Sequence, residues 1–430
     1  MSGSIRLPPG DNVPLSDRAR RIVDSSAMRR LSGISQLGLV STVYPGATHT
    51  RFEHSIGAYG LSLRWVDALR RRGVDLAPRW SDAFELAALL HDAGHWPFCH
   101  PIEDLDLPDL GRHEDRVAGL VRRGELRSAI DDDWRCDPDD VVRLLTKPSD
   151  RSTDEPAADV LTHCLSGPID IDKMDYLRRD SLHAGVPYGN HFDADRLIDC
   201  LTLHPSGRSI AVDAKGRTAA EMMVFARYVM FSEVYWHKTV RSATAMLQRA
   251  VFLLQNRLDL PAMLSTDDAA WIATTRRMAG GSVAEPLVEG LFGPRRTLYK
   301  PVADFAASGD ADVHASLARR PYWYLLAVAE RLAAESSSRC GTAIHAADVL
   351  VDAPPPKLEV DINVDVIEGD RVRTLADVSP VAATLARHQF DREVKRVRVF
   401  VRPDLRDAVG GTDWAALIGE AIRDLDGSLV

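Results

Sequence analysis

Cysteine is scarce in this chain, with five residues among 430, an odd number at irregular spacing. That argues against a disulfide framework and for a reduced, cytoplasmic protein. No apolar run approaches the roughly 20 residues that a helix needs to cross a bilayer. The N-terminal MSGSIRLPPG lacks the apolar core of a secretory signal. A basic excess is missing too: 53 Lys and Arg stand against 62 Asp and Glu, a formal net charge of −9. Wrapping of duplex DNA draws most of its affinity from basic surface, so nucleic acid is not expected as the main partner. A small anion held in a local basic pocket stays open. Neither internal repeats nor low-complexity segments interrupt the chain.

What is present is a chain with 45% hydrophobic and 27% charged residues, enough to bury a large core in more than one lobe. The stretch around which the rest is organised is LHDAGHWPFCHPIED, Leu90 to Asp104. His91 and Asp92 follow the apolar run AFELAALL, which reads as a buried helix, and Gly94 and Pro97 then break its period. Adjacent side chains on a helix diverge, so two neighbours that reach one ion suit a helix end. Histidine with aspartate suits a borderline-to-hard divalent metal. A helix terminus with a capping Asp and scattered His would look the same, and partners elsewhere in the chain must decide.

Upstream, SDRARRIVDSSAMRRLSGISQLGLV is amphipathic with Ser16 as an N-cap. After the YPGATH turn, TRFEHSIGAYGLSLRWVDALRR carries a helical stripe of Ile56, Leu63, Val66 and Leu69, with His54 near its start. Downstream, RHEDRVAGLVRR sets His113 and Glu114 at a helix start. The acidic DDDWRCDPDD, broken by Trp and Pro, reads as a solvated loop. SGPIDIDKMDYLRRDSLHAGV projects Asp172, Tyr176, Arg179 and Asp180 on one stripe, with Lys173 and Asp175 off its edges. Charge beside Ile169, Ile171, Met174 and Leu177 is costly to bury without ligands or pairs, which tilts the stretch towards a site.

RSIAVDAKGRT reads as a short hairpin with a Lys-Gly turn. One long helix, EMMVFARYVMFSEVYWHKTVRSATAMLQRAVFLLQNRL, is expected next, and helical segments continue to about Arg339. Composition shifts at PPPK, near Pro354. Beyond it KLEVDINVDVI and VKRVRVFVRP read as strands around the helix DVSPVAATLARHQF, and Asp404 is expected to cap a final helix ending near Asp426.

The order His54, His91-Asp92, Asp172 resembles the HD metal-dependent phosphohydrolases. QLGLVSTVYPGATHTRFEHS, HDAGHWPFCH, IDIDKMDYLRRDSLHAG, GRSIAVDAKG and ARYVMFSEVYWHK together resemble the HD-domain deoxynucleoside-triphosphate triphosphohydrolases, over about Arg18 to Arg249. The resemblance implies a mainly α fold: a helical HD domain over residues 1–350 and a small C-terminal α+β lobe over 351–430. It implies that His54, His91, Asp92 and Asp172 hold a divalent metal, with iron, manganese, magnesium and zinc all open. Arg51, Lys173, Tyr176 and Arg227 match positions that hold the triphosphate. His95, His100 and His113 match histidines at the reacting centre, of which His113 and His100 suit protonation of the leaving oxygen. Gln36 and Leu37 match the stretch that meets base and sugar, and Asp180 and Tyr235 match positions near the 3′-hydroxyl.

Departures are visible. LPPGDNVPL stands where the family carries a DPIHG-type stretch, and Ser32 and Gly33 replace larger residues beside a regulatory nucleotide, which leaves such control in doubt. Phe231 replaces a polar position. The expected reaction is hydrolysis of a dNTP to deoxynucleoside and triphosphate by a homo-oligomer. The rivals are an HD phosphohydrolase acting on another phosphoester, a nucleoside monophosphate or a single-stranded nucleic-acid end, and a nucleotide sensor without turnover.

Overall fold

The computed structural model describes residues 3–108, 110–146, 155–354, 363–387 and 394–428. The chain forms two compact units that do not follow chain order. The first holds Met1–Pro97, Gly111–Met230 and Val360–Arg387, and the second holds Phe98–Leu110, Phe231–Glu359 and His388–Val430. The expected division at residue 350 is a simpler cut than this interleaved one.

The first unit opens on an antiparallel hairpin, β1 (Gly3–Leu7) with β2 (Asp11–Leu15). Ser16 caps α1 (Asp17–Val23) as expected, but Ser25 caps a separate α2 (Ser26–Leu31), so the amphipathic stretch is two helices with a break at Asp24. The Thr50 hydroxyl accepts from the Glu53 amide and starts α3 (Arg51–Arg71). Pro78 occupies the first turn of α4 (Pro78–Leu90), where its missing N–H costs nothing. Nine of ten residues from Ser81 to Leu90 are buried, as a helix apolar on most sides requires.

After α5 (Cys99–Glu103), which belongs to the second unit, come α6 (His113–Val121), α7 (Gly124–Asp133), α8 (Pro138–Leu145) and α9 (Pro156–Ser166). The acidic stretch expected as a solvated loop is instead the end of α7 and the start of α8. Arg21 pairs with Asp132 and Asp133, and Arg79 pairs with the buried Asp140. The Asp170 carboxylate accepts from the Lys173 amide at 2.7 Å and starts α10 (Ile171–Ala184), which ends on the left-handed Gly185.

Helix α11 (Ala194–Asp199) leads into the hairpin β3 (Leu201–Leu203) and β4 (Ile210–Asp213). Its turn is at His204–Ser209, not at Lys215-Gly216, which form a tight turn entering α12 (Arg217–Met230). Strand β4 also pairs in parallel with Asp365–Glu368, the described part of the first strand expected beyond Pro354. Residues 355–362 of that stretch lie outside the described residues.

The long helix is not continuous. The Trp236 amide donates to the Phe231 carbonyl five residues back, a widened turn over Phe231–Tyr235. The His237 side chain then caps α13 (Lys238–Leu254). This break coincides with the change of unit at Met230.

In the second unit Val397–Val401 pairs antiparallel with both Lys300–Phe305 and Val349–Asp352. All five residues of that central strand are buried, and the helices Tyr322–Cys340 and Trp414–Ser428 contribute to the core around it. Strand Lys300–Phe305 therefore interrupts the run expected to be helical up to Arg339. Asp404 does not cap the final helix: Arg402 holds its carboxylate at 2.7 Å beside a short turn, and Asp413 accepts from the Ala416 amide at the real helix start. Among the described residues no helix is long and apolar enough to cross a membrane.

Candidate metal centre

Three helices of the first unit deliver the centre. His54 sits one turn into α3, three residues after Arg51, so the two share a face. His91 is the C-cap of α4, and Asp92 follows where the helix has ended and adjacent side chains are free to converge. Asp172 comes from the first turn of α10. His54 Nε2 lies 3.0 Å from His91 Nε2 and 3.0 Å from Asp172 Oδ1, and 4.0 Å from Asp92 Oδ2. His91 Nε2 lies 3.6 Å from Asp92 Oδ1 and 3.7 Å from Asp172 Oδ1. Gly94 lets the start of α6 pack closely against the turn after Asp92, because a Cβ there would strike the His113 carbonyl.

The other ring nitrogens are already engaged. His54 Nδ1 lies 2.8 Å from Asp175 Oδ2, and His91 Nδ1 lies 2.8 Å from the Ala88 carbonyl. An N–H donated to each of these acceptors leaves both Nε2 atoms as lone-pair donors. Two such nitrogens and two carboxylates facing one point repel unless a cation lies between them. The donor set fits a divalent ion of the iron, manganese, magnesium or zinc type.

The electrostatics agree. Burial lowers the His54 pKa, but Asp172, Asp175 and Asp92 outweigh it and push the imidazole up to about 10. His91 is raised as well, its burial outweighed chiefly by Asp92. Asp172 and Asp92 resist the upward push of burial and are held below the usual carboxylate range by the imidazoles, with Arg51 adding to the effect at Asp92. The point between these groups selects positive charge.

Supporting contacts went unread in the sequence. Asp175 projects off the edge of the Asp172 stripe of α10, yet it is buried and its carboxylate lies 2.8 Å from His54 Nδ1. Arg179 donates to both Asp175 oxygens at 2.7 and 2.8 Å and to Glu53 at 2.7 Å. Gly57 on α3 leaves room for this pair, since a Cβ there would collide with both side chains. The i,i+4 spacing of Asp175 and Arg179 was the available signal. Glu53, which also meets His183 at 3.0 Å, offered none.

The family model for the HD associated region matches residues 192–419. An uncharacterized protein of Methanocaldococcus jannaschii is 30% identical over 380 residues, covering 87% of this chain and 74% of that protein. The chain belongs to the HD-domain phosphohydrolase family. Another member, the deoxynucleoside triphosphate triphosphohydrolase SAMHD1 of Xenopus laevis, is 29% identical over 255 residues. That match takes in 51% of this chain and 40% of the Xenopus protein. The crystal structure of a hypothetical protein from Aquifex aeolicus superposes with a TM-score of 0.71 at 28% identity, covering 95% of this chain and all of that one.

The remaining residues singled out by the family pattern are distributed as follows. Arg51 is buried and donates to Asp92 Oδ2 at 2.8 Å. His95 is buried, with Nδ1 3.1 Å from Asp92 Oδ1, and its ring lies 3.9 Å from that of His113. Lys173 pairs through Nζ with Asp170, its own helix cap. Burial raises the Tyr176 phenol, opposed by the Arg227 guanidinium, and Arg227 itself donates to the Pro168 carbonyl at 3.3 Å. Asp180 meets His49 Nε2 at 2.8 Å. The Gln36 backbone N–H donates to the His49 carbonyl, and Leu37 precedes the turn Gly38–Thr42. His100 and Tyr235 belong to the second unit. His100 is exposed on α5, 3.7 Å from Glu103, and Tyr235 packs edge-on against Phe231 at 5.0 Å.

Proposed function

We propose that this chain hydrolyses deoxynucleoside triphosphates to deoxynucleoside and inorganic triphosphate. The observation that carries the reading is the convergence of His54, His91, Asp92 and Asp172 on one point, with Arg51 seated against Asp92. A divalent ion, when bound, supplies charge neutralisation at a phosphoryl oxygen and acidifies water. In this reading Arg51, Lys173, Tyr176 and Arg227 bind and orient the triphosphate. Gln36 and Leu37 meet base and sugar, and Asp180 and Tyr235 the 3′-hydroxyl. A guanidinium fork or an ammonium there neutralises charge that grows at the transition state.

Proton delivery falls to the histidines. The His113 ring packs on His95, which is held against Asp92, and these contacts support a role for His113 next to the reacting group. His113 and His100 are the donors proposed to protonate the departing 5′ oxygen, with His95 positioning the first of them. Water attacks the α-phosphorus and the triphosphate leaves in one piece. The reading includes a self-associating cytoplasmic protein with a dNTP as its small-molecule partner.

The test is incubation of metal-loaded protein with each dNTP, followed by chromatographic resolution of the products. Deoxynucleoside with triphosphate in equal amounts is the expected outcome. Turnover of nucleoside monophosphates or of single-stranded ends, with dNTPs untouched, transfers the site to another phosphoester.

A further inference from the structure

Beside the Asp175–Arg179 pair the first unit contains a cavity of about 480 Å³. Its walls are the N-terminal hairpin, α3 and α10, and most of its lining is apolar: Leu7, Pro9, Val13, Leu61, Leu63 and Met174. Three arginines also line it. Two are committed, Arg64 to Asp195 and Arg179 to Asp175 and Glu53. The third, Arg178, is half-buried and has no ion pair or hydrogen bond among the described residues. Asp11 stands exposed on the hairpin side of the lining and does not pair with it.

A half-buried guanidinium at a mostly apolar wall, with no carboxylate or carbonyl of the described residues against it, keeps N–H donors that an added anion can meet. Arg178 therefore presents uncompensated positive charge with several N–H donors, at the wall of a space large enough for a ligand of moderate size. We propose that this cavity binds an amphipathic organic anion. Its apolar body would fill the space between the hairpin and Leu61, Leu63 and Met174, and its carboxylate, sulfonate or phosphate would meet Arg178. The site is separate from the phosphate-holding residues proposed above. It shares Gly57 and the Asp175–Arg179 pair with the support of His54.

The probe is 1-anilinonaphthalene-8-sulfonate, an apolar ring system with one anionic group, whose fluorescence rises on leaving water. Titrated against the full-length protein it should saturate at one site per chain. Its neutral counterpart N-phenyl-1-naphthylamine should bind at least about tenfold more weakly, because it lacks the group that meets Arg178. Arg178→Glu should weaken the sulfonate by about tenfold or more, Arg178→Lys should retain it, and Leu63→Trp, whose larger side chain narrows the cavity, should weaken it as well. Circular dichroism melts establish that each variant is folded. Equal affinity for the neutral probe in the parent protein, which needs no variant, would overturn the proposal. So would sulfonate binding that is unchanged in folded Arg178→Glu and Leu63→Trp.

Discussion

His54 Nε2 and His91 Nε2 face each other at 3.0 Å, while the Nδ1 atom of each ring is held by Asp175 and by the Ala88 carbonyl respectively. Two lone pairs at that separation need a positive charge between them. Asp172→Ala removes a carboxylate 3.0 Å from one of these nitrogens. It should lose bound metal and hydrolytic activity together. Elemental analysis checks this, and full occupancy in the variant would remove Asp172 from the ligand set.

Asp175 should matter almost as much without touching the ion. Asp175→Asn leaves the buried Arg179 without its bidentate partner and changes what His54 Nδ1 faces. A cost of about 3–5 kcal/mol in stability is expected, with a loss of roughly 10–100-fold in metal affinity. Gly57→Ala should act in the same direction, since its Cβ would displace the same pair. Urea unfolding and a metal titration on both variants measure the two effects separately. Variants that melt normally and hold metal at parental affinity contradict the role given to Asp175.

Lys173 carries two jobs in this account. It neutralises Asp170, which is buried at its helix cap and pushed up to about 6 despite Lys173. Lys173→Ala should therefore reduce turnover and lower stability, by roughly 1–3 kcal/mol for a buried carboxylate that loses its partner. Adding Asp170→Asn to that variant should return part of the stability and none of the turnover. Thermal melts and dNTP assays on the single and double variants distinguish the two roles.

Away from the centre, Arg18 is shared between Asp82 at 2.8 Å and Glu85 at 3.1 Å. Burial therefore wins at Glu85 and pushes its carboxyl up to about 7, while Arg135 and Arg18 hold Asp82 down at about 2. A carboxyl with a raised folded pKa binds its proton more tightly in the native state. Its contribution favours folding below about pH 4.5 and is lost as pH rises through 7, on the order of 3 kcal/mol. Glu85→Gln should flatten this part of the pH profile. Urea midpoints between pH 5 and 8 that fall equally in parent and variant would assign the slope to other groups.

The convergence of His54, His91, Asp92 and Asp172 was legible because these residues stand in a recognisable order. His91 and Asp92 also follow an apolar run whose end could be read from Gly94 and Pro97. Asp175 was hidden by a helical projection anchored on Asp172, although the neighbouring faces of α10 do different work. The break at Phe231–Tyr235 carries no proline or glycine, so a widened turn there leaves no compositional mark. At the C-terminus Asp404 had the features of a cap, but its partner is the Arg402 side chain, two residues before it. Contacts that decide such cases, like Glu53 with Arg179, join residues far apart in the chain.

The most direct measurement of the central claim is hydrolysis of a dNTP in oxygen-18-labelled water, with mass spectrometry of every product. If Arg51, Lys173, Tyr176 and Arg227 hold the triphosphate while water attacks the α-phosphorus, the chain of three phosphates leaves whole. The heavy oxygen should then appear in inorganic triphosphate, with none in the deoxynucleoside. Release of dNMP with pyrophosphate, or label in the nucleoside, would contradict the triphosphohydrolase account even if every metal ligand stood.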